Sequence, residues 1–178
     1  SGEVPVTVQN ATVEKVTVNA EKANVTVAKD AVVKEVTVAQ SAKGAELSVA
    51  GTVTTINSSA PQSKVTAAET AKVDTVNVEK TAAGTSVDTS KGATVGTVNA
   101  GADGTAVTGT GTVKNANVTG NNSSVDTVGT TTKVSEGVTG ATSNGNNMQS
   151  GATSTTTETK PEIKPETPTT GGGTVITP

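Results

Sequence analysis

The chain has 178 residues, a formal net charge of −3, and no Cys, His, Arg or aromatic residue. Disulfide and thiol chemistry are therefore excluded, as is a histidine base or metal ligand, while the missing cysteines leave the redox compartment open. The charge is spread evenly, with no basic patch for nucleic acid and no run of 18 apolar residues for a membrane span.

From about residue 4 to about residue 138 one pattern recurs: a valine, two residues, then V-x-V, as in VEKVTV, VKEVTV and VDTVNV. The first valine falls at Val13, Val33, Val53, Val73, Val95 and Val113, in steps of 20, 20, 20, 22 and 18. Two-residue alternation repeated at a period near 20 predicts an all-β solenoid, a parallel β-helix of about six 20-residue coils. At about 4.8 Å per coil such a rod is close to 30 Å long.

Read by columns, the inward positions continue with Val16, Val36, Ile56, Val76, Val98 and Ala116, then Val18, Val38, Ser58, Val78, Ala100 and Val118. After a corner come Val25, Leu47, Val65, Val87, Val107 and Val125, and last Val27, Val49, Ala67, Thr89, Gly109 and Thr127. The last column becomes small and polar toward the C-terminus. Between the inward residues stand short polar ones: Thr17, Thr37, Asn57, Asn77, Asn99 and Asn117 on one strand, and Thr26, Ser48, Thr66, Asp88, Thr108 and Asp126 on another. Two residues before each first valine is a small residue (Ala11, Ala31, Gly51, Ala71, Ala93, Gly111), as a tight corner requires. These columns predict three strands and three corners per coil. Corner length changes by two residues at a time, because a one-residue slip would turn a strand's apolar set outward. The longer corners at 40–45 and 80–85 are expected to bulge from one edge.

The rivals are a helical fold and a β-sandwich of short strands. V-T-V and V-N-V alternation, and the abundance of Val and Thr, count against helix. Identical columns at a fixed step count against a sandwich.

Beyond residue 142 the columns vanish. The expected organisation is a solenoid over 1–142, a disordered Thr/Pro/Gly-rich linker over 143–173 with an extended KPEIKPETP spacer, and the start of a further domain at 174–178. The opening SGEVPVTV enters mid-coil, so an uncapped N-terminal edge is expected, covered in the parent protein by further chain. The polar TTTK run before Val134 is expected to blunt the other end.

Candidate chemistry is thin. Asp88 and Asp126 share an outward column two coils apart, at the edge of inverting-glycosidase spacing, without an aromatic or Arg to hold a sugar. GADGTAV is a single copy of a Gly/Asp turn, where calcium-binding β-rolls need tandem copies. A flat Thr-x-Thr ice-binding face would be interrupted by the outward Asn and Asp residues. N-x-[ST] triplets begin at Asn10, Asn24, Asn57, Asn117, Asn121 and Asn122, and Thr155–Thr157 is a candidate stretch for O-linked sugar. No catalytic, cofactor-binding or metal-binding residue is assigned, and no cofactor is expected. The candidate ligand face is Asn57, Asn77, Asn99 and Asn117.

The run KVDTVNVEKTAAGTSVDTSKGATVGTVNAGADGTAVTGTGTVKNANV, then TTKVSEGVTGATSNG and a Thr/Pro/Gly-rich stretch, resembles a repeat region of Gram-positive surface proteins, which often also carry S-layer-homology domains. The phrases GTGTVKNANV and KVSEGVTG are its most specific parts. The resemblance implies a right-handed β-helix serving as a non-catalytic spacer of an exported protein, at the cell surface or in the wall. Its partners would be neighbouring domains of the same polypeptide and cell-wall polysaccharide. The alternative expectation is a carbohydrate-binding or adhesin module that uses the outward Asn/Thr face.

Overall fold

The computed structural model describes residues 5–155, all β and turn. Seven-residue strands alternate with four-residue ones along the chain: β1 (Pro5–Val8), β2 (Thr12–Val18), β3 (Asn24–Val27), β4 (Val32–Val38), β5 (Glu46–Val49), β6 (Thr52–Ser58), β7 (Lys64–Ala67), β8 (Lys72–Val78), β9 (Ser86–Thr89), β10 (Thr94–Ala100), β11 (Ala106–Gly109) and β12 (Thr112–Val118). Shorter strands follow: β13 (Ser124–Val125), β14 (Thr131–Val134), β15 (Thr142–Ser143), β16 (Asn146–Asn147) and β17 (Thr153–Thr155). Odd-numbered strands β1 to β15, with β16, form one sheet; even-numbered strands β2 to β14, with β17, form the other.

The solenoid and its register agree with the columns. Val16 pairs parallel with Val36, and the ladder continues through Ile56, Val76, Val98 and Ala116. The second sheet links Val25, Leu47, Val65, Val87, Val107 and Val125 in the same way. Val33, Val53, Val95 and Val113 are wholly buried, and so are the smaller Ala116 and Thr89.

The strand count is corrected from three per coil to two. The seven-residue strand contains the corner itself. Its ladder skips one residue, at 14, 34, 54, 74, 96 and 114, and resumes with the inward set intact. The odd step from Val13 to Val16 puts two consecutive residues outward, which turns the chain without ending the strand. The coil count rises from six to seven. The seventh, β14 and β15, lacks the valine signature because Thr132 stands where the others have Val, Ile or Ala.

The inward columns also number more than five. At the corners after β4, β6, β8 and β10 stand Ala42, Ala60, Ala82 and Ala102, all fully buried. In each of the seven coils this edge has a left-handed position, occupied in turn by Lys22, Gly44, Gln62, Gly84, Gly104, Asn122 and Gly140, with φ between 52° and 72°. From Lys22 to Asn122, each of these residues donates its N–H to the carbonyl just before its counterpart in the next coil, as Lys22 does to Lys43 and Gly44 to Pro61. A third backbone ladder therefore runs up this edge. Glycine is the residue that takes this conformation without a Cβ penalty, and four coils use it. The longer corners fit here as expected: Gln40, Ser41, Lys80 and Thr81 are exposed while Ala42 and Ala82 stay buried. The Ser41 and Thr81 hydroxyls donate to the carbonyls of Asn19 and Ser59 one coil back.

The small-residue column has its expected cause. Gly51 closes a corner with only two residues between strands, and a Cβ there would overlap the carbonyl oxygens of Ala28 and Ala31. Ala31, Ala71 and Ala93 close four-residue corners, where a methyl fits.

The two ends differ. At the N-terminal end β1 pairs only with β3, and β2 only with β4, leaving an open edge on both sheets among the described residues. At the other end both sheets finish in an antiparallel strand: β16 folds back on β15, and β17 lies against β14. The expected linker start is thus corrected, because residues 143–155 build this closure. Asn144 and Gly145, with φ of 45° and 75°, form the two-residue turn between β15 and β16, and Asn-Gly is the pair that favours such a hairpin. Met148 packs on the core beside this hairpin. The last coil is lined by hydroxyls that bond each other: Thr127 with Thr130 at 2.6 Å, Thr130 to the Val113 carbonyl at 2.8 Å, and Thr132 with Ser143 at 3.4 Å. The rest of the expected linker and the residues at 174–178 lie outside the described residues.

Candidate functional site

The four asparagines of the candidate ligand face share one outward column of the long-strand sheet. They sit there because the residue between two inward-facing strand positions points away from the core, and parallel register stacks those residues one coil apart. Their side chains bond one another. Asn77 Nδ2 donates to Asn57 Oδ1 at 2.7 Å, Asn99 to Asn77 at 2.7 Å, and Asn117 to Asn99 at 2.8 Å.

The ladder ends on a charge. Asn57 Nδ2 faces Glu35 Oε1 at 3.4 Å, and the same oxygen accepts from the Thr37 hydroxyl at 2.8 Å and pairs with Lys15 at 3.1 Å. A carboxylate only accepts, so Asn57 must present its amide nitrogen to Glu35. Its oxygen then faces Asn77, and the direction of every amide above follows. The Glu35 carboxyl is held below the ordinary carboxylate range, first by the Thr37 hydroxyl and then by Lys15, with burial opposing. Beside it, Lys34 pairs with Glu14 at 2.7 Å, so the first two coils carry opposite charges in register.

Asn77, Asn99 and Asn117 also line one shallow groove of about 340 Å³, together with Val78, Glu79, Lys80, Gly101 and Thr119. Asn57 is not among its lining residues. The column pattern identified the asparagines; Glu79, Lys80 and Thr119 come from the following corner and were not anticipated. Asn77 and Asn99 each spend one N–H and one lone pair on the ladder, which leaves one of each, and Asn117 at its end spends only an N–H. The groove thus offers a row of neutral donors and acceptors flanked by one cation and one anion.

The remaining candidates are engaged structurally. Asp88 accepts the Thr108 hydroxyl at 3.0 Å, and Asp126 accepts the Gly145 N–H at 3.2 Å. Within GADGTAV, Asp103 accepts the Asn121 N–H of the next coil at 2.8 Å. Asn121 Oδ1 in turn accepts the Thr139 N–H at 3.0 Å, so a second polar ladder climbs this corner. Among the described residues no three His, Cys, Asp or Glu side chains gather to hold a metal ion, and no helix is long and apolar enough to cross a membrane. Comparison with protein-family models, with curated proteins and with solved structures finds no match to the chain.

Proposed function

We propose that the chain is a non-catalytic spacer of an exported cell-surface protein, a stalk that holds neighbouring domains of one polypeptide a set distance apart. The observation that carries this reading is the unbroken register from β2 to β14, six parallel pairings without an interruption. Length is set by strand spacing, at about 4.8 Å per coil. Corner insertions go sideways and leave it unchanged, as the coils with longer corners illustrate. Placement at the cell surface or wall, beside S-layer-homology domains, is supported by the resemblance of the repeat residues.

A spacer depends on its length and is indifferent to its outward side chains. Spin labels introduced at Thr17 and Lys133, six register steps apart in one column, are expected to give a narrow distance distribution near 30 Å. Deleting one coil in the parent protein, residues 53–72, is expected to shorten the reach of the flanking domains by one strand spacing. Dependence of the parent's function on the outward asparagines, with no dependence on coil number, would sink the stalk.

The groove beside Asn77, Asn99 and Asn117 favours a second reading, a carbohydrate-binding or adhesin module for cell-wall polysaccharide. Against it, the amides are already bonded in pairs, and the chain has no aromatic side chain on which a sugar could stack. A glycan array at high protein concentration decides between them: a saturable signal abolished by Asn99→Ala supports the binding module, and silence supports the stalk.

A further inference from the structure

Asn144 is followed by Gly145, the chain's only Asn-Gly pair. In such a pair the backbone nitrogen of the second residue is a nucleophile tethered to the side-chain carbonyl carbon of the first. Closure gives a five-membered imide, and a glycine nitrogen is not crowded by a Cβ. Two further features meet at this pair. The Gly145 N–H points to Asp126 Oδ1 at 3.2 Å, so a carboxylate sits on the proton that must leave. Asn144 is only 8% exposed, and among the described residues its Nδ2 has no hydrogen-bond partner, so none of them retains the departing nitrogen. Neither feature is needed for a two-residue turn, which backbone geometry alone secures.

We propose that Asn144 is a self-modification site, with Asp126 as the general base for attack of the Gly145 nitrogen on Asn144 Cγ. The N–Cγ bond forms as the amide proton passes to Asp126. The Cγ–Nδ2 bond then breaks, and Nδ2 departs as ammonia with the proton returned by Asp126. Water adds to one of the two imide carbonyls. The ring opens to an aspartate, or to an isoaspartate in which the main chain runs through the side-chain carbon. No electrons are gained or lost, and Asp126 is regenerated.

The product alters the C-terminal closure. A second carboxylate now stands beside Asp126 at a site nine-tenths buried, where desolvation and like charge both oppose it. The isoaspartate form also adds a carbon to the main chain and cannot keep a two-residue turn in register. The β15–β16 hairpin opens, and the nine-stranded sheet loses the antiparallel strand that ends it. The closure is a slow clock that converts a blunt end into an open edge.

The test incubates the full chain at mildly alkaline pH, once in native buffer and once in concentrated urea. Peptide mass spectrometry then follows the replacement of NH by O at Asn144 and separates the two isomers. Conversion is expected in native buffer, with isoaspartate among the products. Asp126→Asn and Asp126→Ser keep a hydrogen-bond acceptor but remove the base. Each is expected to slow the native reaction about a hundredfold, the low end of general-base contributions. In urea, where Asp126 is no longer held against Gly145, both should match the unsubstituted chain. The proposal is overturned if Asn144 converts only in urea, or if either variant reacts in native buffer at or above the unsubstituted rate.

Discussion

Val76 and Asn77 are adjacent in β8, and the same substitution at each should have very different consequences. Val76 is fully buried in a middle coil. Val76→Asp puts a carboxylate among Val and Ile side chains with no partner, which costs at least about 4 kcal/mol. Asn77 points outward and is half-buried, and a column argument alone assigns Asn77→Asp almost no cost. The ladder changes that estimate. Asp cannot donate to Asn57 Oδ1, so the 2.7 Å bond is lost and two oxygens face each other. A net hydrogen bond is worth about 0.5–1.5 kcal/mol. The bond from Asn99 survives and becomes charge-assisted, and water screens the new charge at this half-exposed site. The balance is a loss of about 1 kcal/mol, against less than about 0.5 kcal/mol for an ordinary surface change. Urea unfolding followed by far-ultraviolet circular dichroism measures both, since the chain has no Trp or Tyr to report by fluorescence. Equal losses at the two positions would refute the column assignment. An Asn77→Asp variant as stable as the parent would refute the energetic role of the ladder.

Three further outcomes follow from the same geometry. Gly51→Ala forces a methyl against two backbone carbonyls and should cost about 1–3 kcal/mol, whereas Ala31→Gly in the roomier corner should cost under about 1 kcal/mol by denaturant midpoint. Glu35 has a lowered pKa when folded, so its contribution is complete above the ordinary value of 4.5 and fades as pH falls through the lowered one. The side-chain amide resonances of Asn57 should titrate in that acid window in the parent and stay flat in Glu35→Gln; a flat response in both would contradict the anchor. Amide exchange should be fast over β1 and β2, where Val6 is 47% exposed and each strand is paired on one side only, and slow over β10 and β12, which are paired on both sides. A first coil as protected as the middle ones would contradict an open N-terminal edge.

What the sequence determined by itself was the solenoid and its register. Side chains on a strand alternate with a period of two, and only the correct register keeps Val13, Val33 and Val53 in one dry column, so the pattern of valines specifies the pairing. The outward column of asparagines was legible for the same reason. The closing turn was legible too, since Asn144-Gly145 is a hairpin signal, but composition obscured it: the surrounding Ser, Thr, Asn and Gly resemble a linker, and the hydroxyls of Thr127, Thr130, Thr132 and Ser143 carry no apolar pattern. They are tolerated inside because each finds a partner there, which depends on what lies across the coil. The left-handed ladder from Lys22 to Asn122 and the anchoring of Asn57 on Glu35 were decided by tertiary structure alone. Each is a contact between residues about 20 positions apart, and its energy exists only once neighbouring coils are stacked.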